Sequence, residues 1–174
     1  MCVNYILKRG IVVAATPGTL KALDIINHPY AHMLLIDDTS VVHCVGTFQY
    51  KPFKTEHDAD DPCGFLIHST ATGETLLYLT DSYYCRYTFS GLTDIMIECN
   101  YDDESLINSN DNLTLRKRVL KSHMSLENCI RFLKSNDISN VDCIHLIHLS
   151  DRNSDEDRMK RKVAEATGKR VVVF

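Results

Sequence analysis

The chain alternates between short runs of nearly continuous apolar residues and stretches with the period of an amphipathic helix. The apolar runs predict β-strands over residues 11–15, 33–54, 64–69, 75–80, 94–99, 141–149 and 171–174. Helical stretches cover residues 3–8, 16–26, 102–108, 113–121, 125–136 and 154–167. Asp37-Asp38 and Gly46 interrupt the second strand run, and Ala71-Thr72-Gly73-Glu74 has the composition of a hairpin turn.

Local signals mark where several of the helices begin and end. Ser125 can act as the N-cap of the helix that follows it, whose apolar residues recur at helical spacing. Thr16 is a plausible N-cap with Pro17 at the first helical position, and Gly168 closes the last helix. These signals predict that helices begin after Thr16 and Ser125 and that the last helix ends at Gly168.

The order of the elements indicates the fold class. A meander of strands comes first, and alternating helices and strands follow, which predicts an α/β protein with layers of sheet and helix. No repeat, low-complexity tract or Pro/Gly-rich linker divides the sequence. We therefore expect one domain over residues 1–174.

Composition narrows the classes of function. The net charge of −4, with 44% hydrophobic and 24% charged residues, is ordinary for a globular protein and gives no overall basic character for nucleic-acid binding. Two local basic clusters could contact nucleic acid or could simply be solvated helix faces. They are Arg116, Lys117, Arg118 and Lys121, and Arg158, Lys160, Arg161 and Lys162.

Cysteine usage and the apolar runs bear on location. The seven cysteines are scattered and form no Cys-x-x-Cys pair, which argues against a disulfide framework and against a zinc ribbon. No signal-peptide pattern is present, and no apolar run approaches the ~18 residues of a membrane span. We therefore expect a cytoplasmic protein that does not associate with a membrane.

Histidines and acids follow several apolar runs, where strands deliver side chains into a site. The segments are Glu56-His57-Asp58, Thr80-Asp81-Ser82, Ser122-His123-Met124-Ser125 and His148-Leu149-Ser150. Histidine is the commonest metal ligand, and a neighbouring acid can fix its tautomer. Each segment also has a structural interpretation, as a solvated loop histidine, a turn-forming aspartate or a hydrogen-bonded strand histidine. Strand alternation places His145 and His148 on opposite faces.

In order and spacing, these segments resemble the metallo-β-lactamase superfamily, and residues 121–153 are similar to its ribonuclease-Z-like phosphodiesterases. His123 matches the family's histidine just before a helix, and His148-Leu149-Ser150 matches its strand that ends in His-hydrophobic-Ser. Glu56-His57-Asp58 with Gly64-Phe65, and Thr80-Asp81, match the third and fourth metal motifs. The resemblance covers nearly the whole chain and implies an α/β fold, a partial αββα sandwich of metallo-β-lactamase type.

The resemblance also implies that the protein is a metal-dependent hydrolase. The expected enzyme is a phosphodiesterase or nuclease in which a metal-bound hydroxide attacks the substrate phosphorus. It makes His57 a ligand of the first metal, Asp81 the carboxylate that bridges two metals, and His148 a ligand of the second. Zn²⁺ or Mn²⁺ is the expected cofactor, and a phosphodiester substrate is the expected partner.

Catalytic roles are implied for three residues. His123 would touch the scissile phosphate as an oxyanion stabiliser or as the acid for the leaving group. Asp81 would act at the metals, and Glu98, with Asn100 beside it, matches a Glu-x-Asn of close relatives and would support the site. Glu98 is equally typical of an ordinary acid at a strand end.

One motif of the family has no counterpart in this sequence. A His-x-His-x-Asp-His motif normally precedes the others, whereas this chain begins Met1-Cys2-Val3-Asn4. With only His57, Asp81 and His148, neither metal keeps enough protein ligands for tight binding, so we expect a weakly held ion or none.

Truncation, a complementing partner chain and loss of catalysis each account for this departure from the family. Truncation would expose sheet edges and apolar faces and favour a homo-oligomer. The alternative function is a non-catalytic remnant that binds a nucleotide or another protein.

Overall fold

The structure, a computed structural model, describes residues 2–36, 41–109 and 112–174. The helices in these ranges are α1 (Cys2–Lys8), α2 (Pro17–Ala22), α3 (Asp103–Asn108), α4 (Leu113–Ser122), α5 (Leu126–Ser135) and α6 (Glu156–Thr167). The strands are β1 (Val13–Ala15), β2 (Ala31–Met33), β3 (His43–Val45), β4 (Phe48–Lys54), β5 (Cys63–Ser69), β6 (Thr75–Leu79), β7 (Asp94–Glu98), β8 (Cys143–Ile147) and β9 (Arg170–Val173). No helix among the described residues is long and apolar enough to cross a membrane. Asp37 and Asp38, the predicted interruption, lie outside the described residues.

Seven strands form one mixed sheet in the order β3-β4-β5-β6-β7-β8-β9. Neighbours from β3 to β6 are antiparallel, and neighbours from β6 to β9 are parallel. Parallel neighbours need a crossover connection, which α3, α4 and α5 provide between β7 and β8, and α6 provides between β8 and β9. β1 and β2 pair in parallel as a separate two-stranded sheet. The predicted α/β class is confirmed.

The register of the sheet collects apolar residues on one face. Leu77 pairs with Ile95, Ile95 with Ile144, and Ile144 with Val171, and all four are buried. Helices α5 and α6 pack on this face through the buried residues Cys129, Phe132, Leu133, Met159 and Val163. Each fully buried aliphatic side chain stabilises the fold by about 1.5–3 kcal/mol, so this layer fixes both helices to the sheet.

The opposite face of the sheet is also apolar but is only partly covered. A cavity of about 320 Å³ lies on this face and is lined by Phe48, Ile67, Ser69, Glu74, Leu76, Asp94, Met96 and His145. Val45 and Phe48, near one edge of the sheet, remain 63% and 51% exposed.

Two elements near the N-terminus are shorter than the sequence predicts. β1 begins at Val13 rather than at residue 11, and α2 ends at Ala22 rather than at residue 26. The helix stops because Asp24 has left-handed backbone, with φ 55°, which cannot continue a right-handed helix. Thr16 is the N-cap residue as predicted, but its hydroxyl donates to Thr19 Oγ1 (3.0 Å) and caps no backbone amide.

The other predicted boundary signals are confirmed. Ser125 caps α5, because its hydroxyl accepts a hydrogen bond from the Asn128 amide (3.1 Å). Gly168 ends α6 with a left-handed φ of 68°. Gly73 lies in the hairpin turn between β5 and β6 with φ 77°.

The first two helices form a small apolar cluster of their own, built on Leu7, Leu20 and Ile25. The start of α2 contacts the loop after β4, where the Gly18 amide donates to Asp61 Oδ2 (2.7 Å). A Cβ at Gly18 would lie 2.6 Å from the Asp60 carbonyl oxygen, so this close approach requires glycine. The contact ties the N-terminal segment to the loop that also carries His57.

Candidate metal centre

Four strands run in the same direction, end at one edge of the sheet, and present candidate site residues there. β4 and β6 are both antiparallel to β5, and β7 and β8 are parallel to β6. His57 and Asp81 follow β4 and β6 within three residues, Glu98 ends β7, and His148 directly follows β8. The carboxyl ends of such strands are the usual location of sites in α/β proteins. His123, at the end of α4, joins them there.

Asp81 lies between two of the histidines. Its Oδ1 is 3.8 Å from His57 Nε2 and 3.4 Å from His148 Nδ1. The side chains of Asp81 and His148 are 43% and 41% exposed, whereas that of His57 is 14% exposed. The cluster is therefore open to solvent on one side and closed on the other.

A buried carboxylate orients the third histidine. His123 Nδ1 donates to Glu98 Oε1 at 2.6 Å, and Glu98 is fully buried. This hydrogen bond raises the pKa of His123 above its ordinary value, against the effect of partial burial, and the negative charges of Glu98, Asp81 and Asp58 raise it further. The ring of His123 is held in one orientation by this contact.

Two of the clustered residues have unusual backbone. Asp81 and His148 have φ values of 51° and 58°, in the left-handed region that few residues other than glycine adopt. Such conformations cost on the order of 1–3 kcal/mol and persist where the surroundings enforce them. Asn100 brackets the turn at His148, because its side-chain amide donates to the His148 carbonyl (2.8 Å) and its own carbonyl accepts from the Ser150 amide (2.8 Å).

Ser82 connects three parts of the site, a role that sequence reasoning missed. Its amide donates to Glu98 Oε2 (2.8 Å), and its hydroxyl accepts from the Glu56 amide (2.9 Å) and donates to the Tyr84 carbonyl (2.6 Å). The sequence carries no signal for this role, because only the folded chain makes Ser82 fully buried.

Ion pairs fix the loop that carries His57. Arg86 pairs with Glu56, and Arg118 of α4 pairs with Asp58 (Nε–Oδ2, 3.2 Å). His57 Nδ1 lies 3.1 Å from the Ala59 amide and 3.3 Å from Asp58 Oδ1. The Ala59 amide donates to Nδ1, and Nε2 lies on the side of Asp81, 3.8 Å from Asp81 Oδ1.

The two basic clusters noted in the sequence supply intramolecular ion pairs. Arg118, of the first, bonds to Asp58 as described. Arg158, of the second, pairs with Asp102 (2.9 Å) and with Glu104. These two arginines therefore stabilise loops and helix ends of the chain itself.

The side chains present fit a divalent metal ion. Two groups of three place potential ligand atoms within 4.8 Å of one another: His57, Asp81 and His123, and Glu98, His123 and His148. Imidazole nitrogens and carboxylate oxygens are the usual ligands of zinc and other divalent transition metals. Ligand atoms around a tetrahedral ion lie roughly 3.4 Å apart, and the 3.8 Å between His57 Nε2 and Asp81 Oδ1 is close to this spacing.

The structure brings together every site residue that the sequence analysis proposed, while their individual roles stay predictions. His145 lies apart, with Nε2 3.9 Å from Asp94. The sequence analysis predicted the direction of the His148 side chain from the alternation of a strand. β8 ends at Ile147, however, so the left-handed backbone at His148 sets that direction instead.

Three solved structures are similar to this chain over most of its length. The metallo-β-lactamase-fold protein YhfI from Bacillus subtilis aligns with a TM-score of 0.62 and 13% identity, covering 92% of this chain and 61% of that one. A metallo-hydrolase from the hyperthermophilic archaeon Ignicoccus hospitalis aligns with a TM-score of 0.64 and 11% identity, covering 99% and 69%. A diphosphatase of the PhnP family aligns with a TM-score of 0.57 and 13% identity, covering 91% and 54%.

These similarities show that the chain has the metallo-β-lactamase fold, as the sequence predicts. The chain spans less than two thirds of the length of the Bacillus protein and of the diphosphatase. No protein-family model matches the sequence. No curated protein matches it either.

Proposed function

We propose that this chain is a metal-dependent hydrolase of phosphate esters, with phosphodiesters, including nucleic-acid strands, as its preferred substrates. The observation that carries the proposal is the convergence of His57, Asp81, Glu98, His123 and His148 at one edge of the sheet. Three imidazoles and two carboxylates at a partly open site suit metal-assisted hydrolysis. The similarity to the structure of a diphosphatase supports phosphate esters as the substrate class.

The metal ions of the proposal are divalent, Zn²⁺ or Mn²⁺, and lie around Asp81. His57 would hold the first ion and His148 the second, and Asp81 would be shared by both. Such ions act as Lewis acids towards phosphoryl oxygens and lower the pKa of a bound water molecule. The exposed side of Asp81 and His148 leaves room for the substrate phosphate.

Glu98 and Asn100 orient the other residues of the site in the absence of substrate. Both oxygens of Glu98 are engaged, one by His123 and one by the Ser82 amide, so Glu98 has a positioning role. Asn100 has another, because it holds the backbone at His148. A site whose groups are already oriented does not need to order them during the reaction.

A cytoplasmic location and association with a second chain are also part of the proposal. All seven cysteines are free thiols, which supports a reducing compartment. The exposed apolar side chains of Val45 and Phe48 support packing of this sheet face against a second copy or a complementing chain. Sedimentation velocity over a wide concentration range tests the self-association, and a monomer at every concentration contradicts it.

The activity is tested with protein that has been stripped by EDTA and reloaded with Zn²⁺ or Mn²⁺. We expect hydrolysis of bis(p-nitrophenyl) phosphate to require the added metal and to be lost in Asp81→Asn. The matched control is Asp94→Asn, because this carboxylate lies at the other end of β7, and it should keep the parent rate. Metal binding without hydrolysis of any phosphate ester contradicts the proposal and favours the non-catalytic binding module.

A further inference from the structure

Helix α4 is basic and largely exposed, and contacts within the chain account for only half of its positive charge. Four of its ten residues are Arg or Lys and none is acidic, although the chain as a whole has a net charge of −4. Arg116 bonds to a backbone carbonyl, and Arg118 bonds to Asp58. Lys117 and Lys121 are exposed, and neither makes an ion pair within the part of the chain that the structure describes. These two lysines are available to a negatively charged partner.

The basic face of α4 adjoins the candidate metal centre. Residues three or four apart on a helix lie side by side, so Arg118, Lys121 and Lys117 form one row. Arg118, whose side chain is 70% exposed, bonds to Asp58 directly beside His57, so the row begins at the margin of the site. From Lys117 to Lys121 the helix advances about 6 Å, which is roughly the length of two stacked nucleotides. The two lysines can therefore contact successive phosphates of a strand that enters the site.

Apolar side chains lie beside these lysines. Leu113 and Leu120 are 74% and 48% exposed, and their spacing from Lys117 places both next to it on the helix surface. The ring of an unpaired base can cover such a surface, whereas a base inside a duplex must first be unstacked. Positive charge together with exposed apolar surface at this position favours a single strand over a duplex.

We propose that Lys117 and Lys121 of α4 bind the phosphate backbone of a single-stranded nucleic acid whose scissile phosphate lies in the candidate metal centre. This inference rests on the proposed function and deepens it, because it names the surface that binds the substrate and narrows the substrate to unpaired strands. Cationic side chains that neutralise phosphates release condensed counterions, so the contact weakens as salt is added. The second basic cluster lacks this role, because α6 also carries three acidic residues and two carboxylates engage its Arg158.

The test measures the affinity of the full chain for a fluorescein-labelled single-stranded oligothymidylate by fluorescence anisotropy over a range of salt concentrations. EDTA is present so that the oligonucleotide is not cleaved. The central variant combines Lys117→Gln and Lys121→Gln, because glutamine removes the charge and keeps a similar helix propensity. The matched control combines Lys160→Gln and Lys162→Gln, the same change of charge at two exposed positions of α6. Circular dichroism melts verify that each variant keeps the fold.

We expect the central variant to bind the oligonucleotide about 5- to 25-fold more weakly than the parent at about 0.1 M salt. The slope of log affinity against log salt concentration should become shallower by about 1.4, since each phosphate contact with a single strand contributes about 0.7. In metal-loaded protein, kcat/KM for the oligonucleotide relative to that for bis(p-nitrophenyl) phosphate should fall by a similar factor. The α6 control should match the parent in each measurement.

The outcomes separate this inference from the proposed function. Parent-like affinity and salt slope in the central variant, or an equal loss in the α6 control, overturns the inference and leaves the proposed hydrolase intact. Binding to phosphatidylglycerol vesicles that requires the two lysines, without binding of the oligonucleotide, also overturns it and assigns this face of α4 to a membrane surface. Oligonucleotide binding that requires both lysines, without hydrolysis of any phosphate ester, supports the binding face and contradicts the proposed function.

Discussion

At the scale of single residues, the candidate site depends on backbone that most side chains avoid. Asp81 and His148 both follow strands of the sheet and both have left-handed φ values. The turn in the backbone directs their side chains towards each other instead of along the alternation of the strand. Neighbouring hydrogen bonds hold these conformations, so residues outside the proposed ligand set still determine whether the proposed ligands meet.

Asn100 provides a direct test of this dependence. Asn100→Ala removes the amide that donates to the His148 carbonyl and so removes a part-buried hydrogen bond, which should lower the free energy of unfolding by about 0.5–1.5 kcal/mol. The position of the His148 ring should also become less defined. Urea unfolding and the ¹H–¹⁵N spectrum of the histidines measure both effects. Asn140→Ala, at an exposed position, should change neither, and equal effects in the two variants would contradict the interpretation.

The His123–Glu98 pair predicts a pH dependence in the metal-free protein. Because the pKa of His123 is raised in the folded state, the native state binds the proton more tightly than the unfolded state does. This contribution to stability is complete below the unfolded pKa of about 6.5 and is lost as the pH rises through the higher folded-state pKa. NMR titration should show the raised pKa and its decrease in Glu98→Gln. A His123 that titrates at or below its ordinary pKa would contradict this prediction.

At the scale of elements, the sequence predicts much of the fold and the membership of the site. The apolar runs that became β5, β6 and β7 are visible as patterns, and His57, Asp81 and His148 lie where such runs end. What the sequence cannot predict is which polar neighbour becomes buried. Ser82 and Glu98 are fully buried only because the loop after β6 folds back over the end of β7, and this contact depends on tertiary packing.

The junction between α2 and the loop after β4 is a second feature with no sequence signal. Gly18→Ala would place a methyl group 2.6 Å from the Asp60 carbonyl oxygen and should displace the loop that carries His57. We expect a loss of stability of about 1–3 kcal/mol and weaker metal binding. Gly91→Ala is the matched control, because it has a left-handed φ of 69° but open space around it. It should lose stability without any change in metal affinity, and parent-like metal affinity in Gly18→Ala would contradict the coupling.

At the scale of the whole molecule, the site joins the two halves of the sheet. His57 and Asp81 belong to the antiparallel half, whereas Glu98, His123 and His148 belong to the parallel half or its connections. An ion bound among them contacts segments separated by more than half of the chain. Metal binding should therefore stabilise the whole fold and not one loop alone.

Thermal unfolding measures this stabilisation. At a free metal concentration 100 times the dissociation constant, the native state gains about 2.7 kcal/mol, which corresponds to an increase in Tm of roughly 5–10 °C for a chain of this length. EDTA should reverse the increase, and Asp81→Asn should abolish it. An equal Tm with and without metal in the parent chain would contradict a site that spans the sheet.

The mixed topology of the sheet also has a kinetic consequence. Hairpin pairing from β3 to β6 joins segments close in sequence, whereas the parallel pairing from β6 to β9 must first close long crossovers, and contacts of that kind form slowly. The proposed set of ligands is therefore complete only after the slower half has paired. An ion that recognises this set leaves the early folding steps unchanged and acts mainly by slowing the unfolding of the finished molecule.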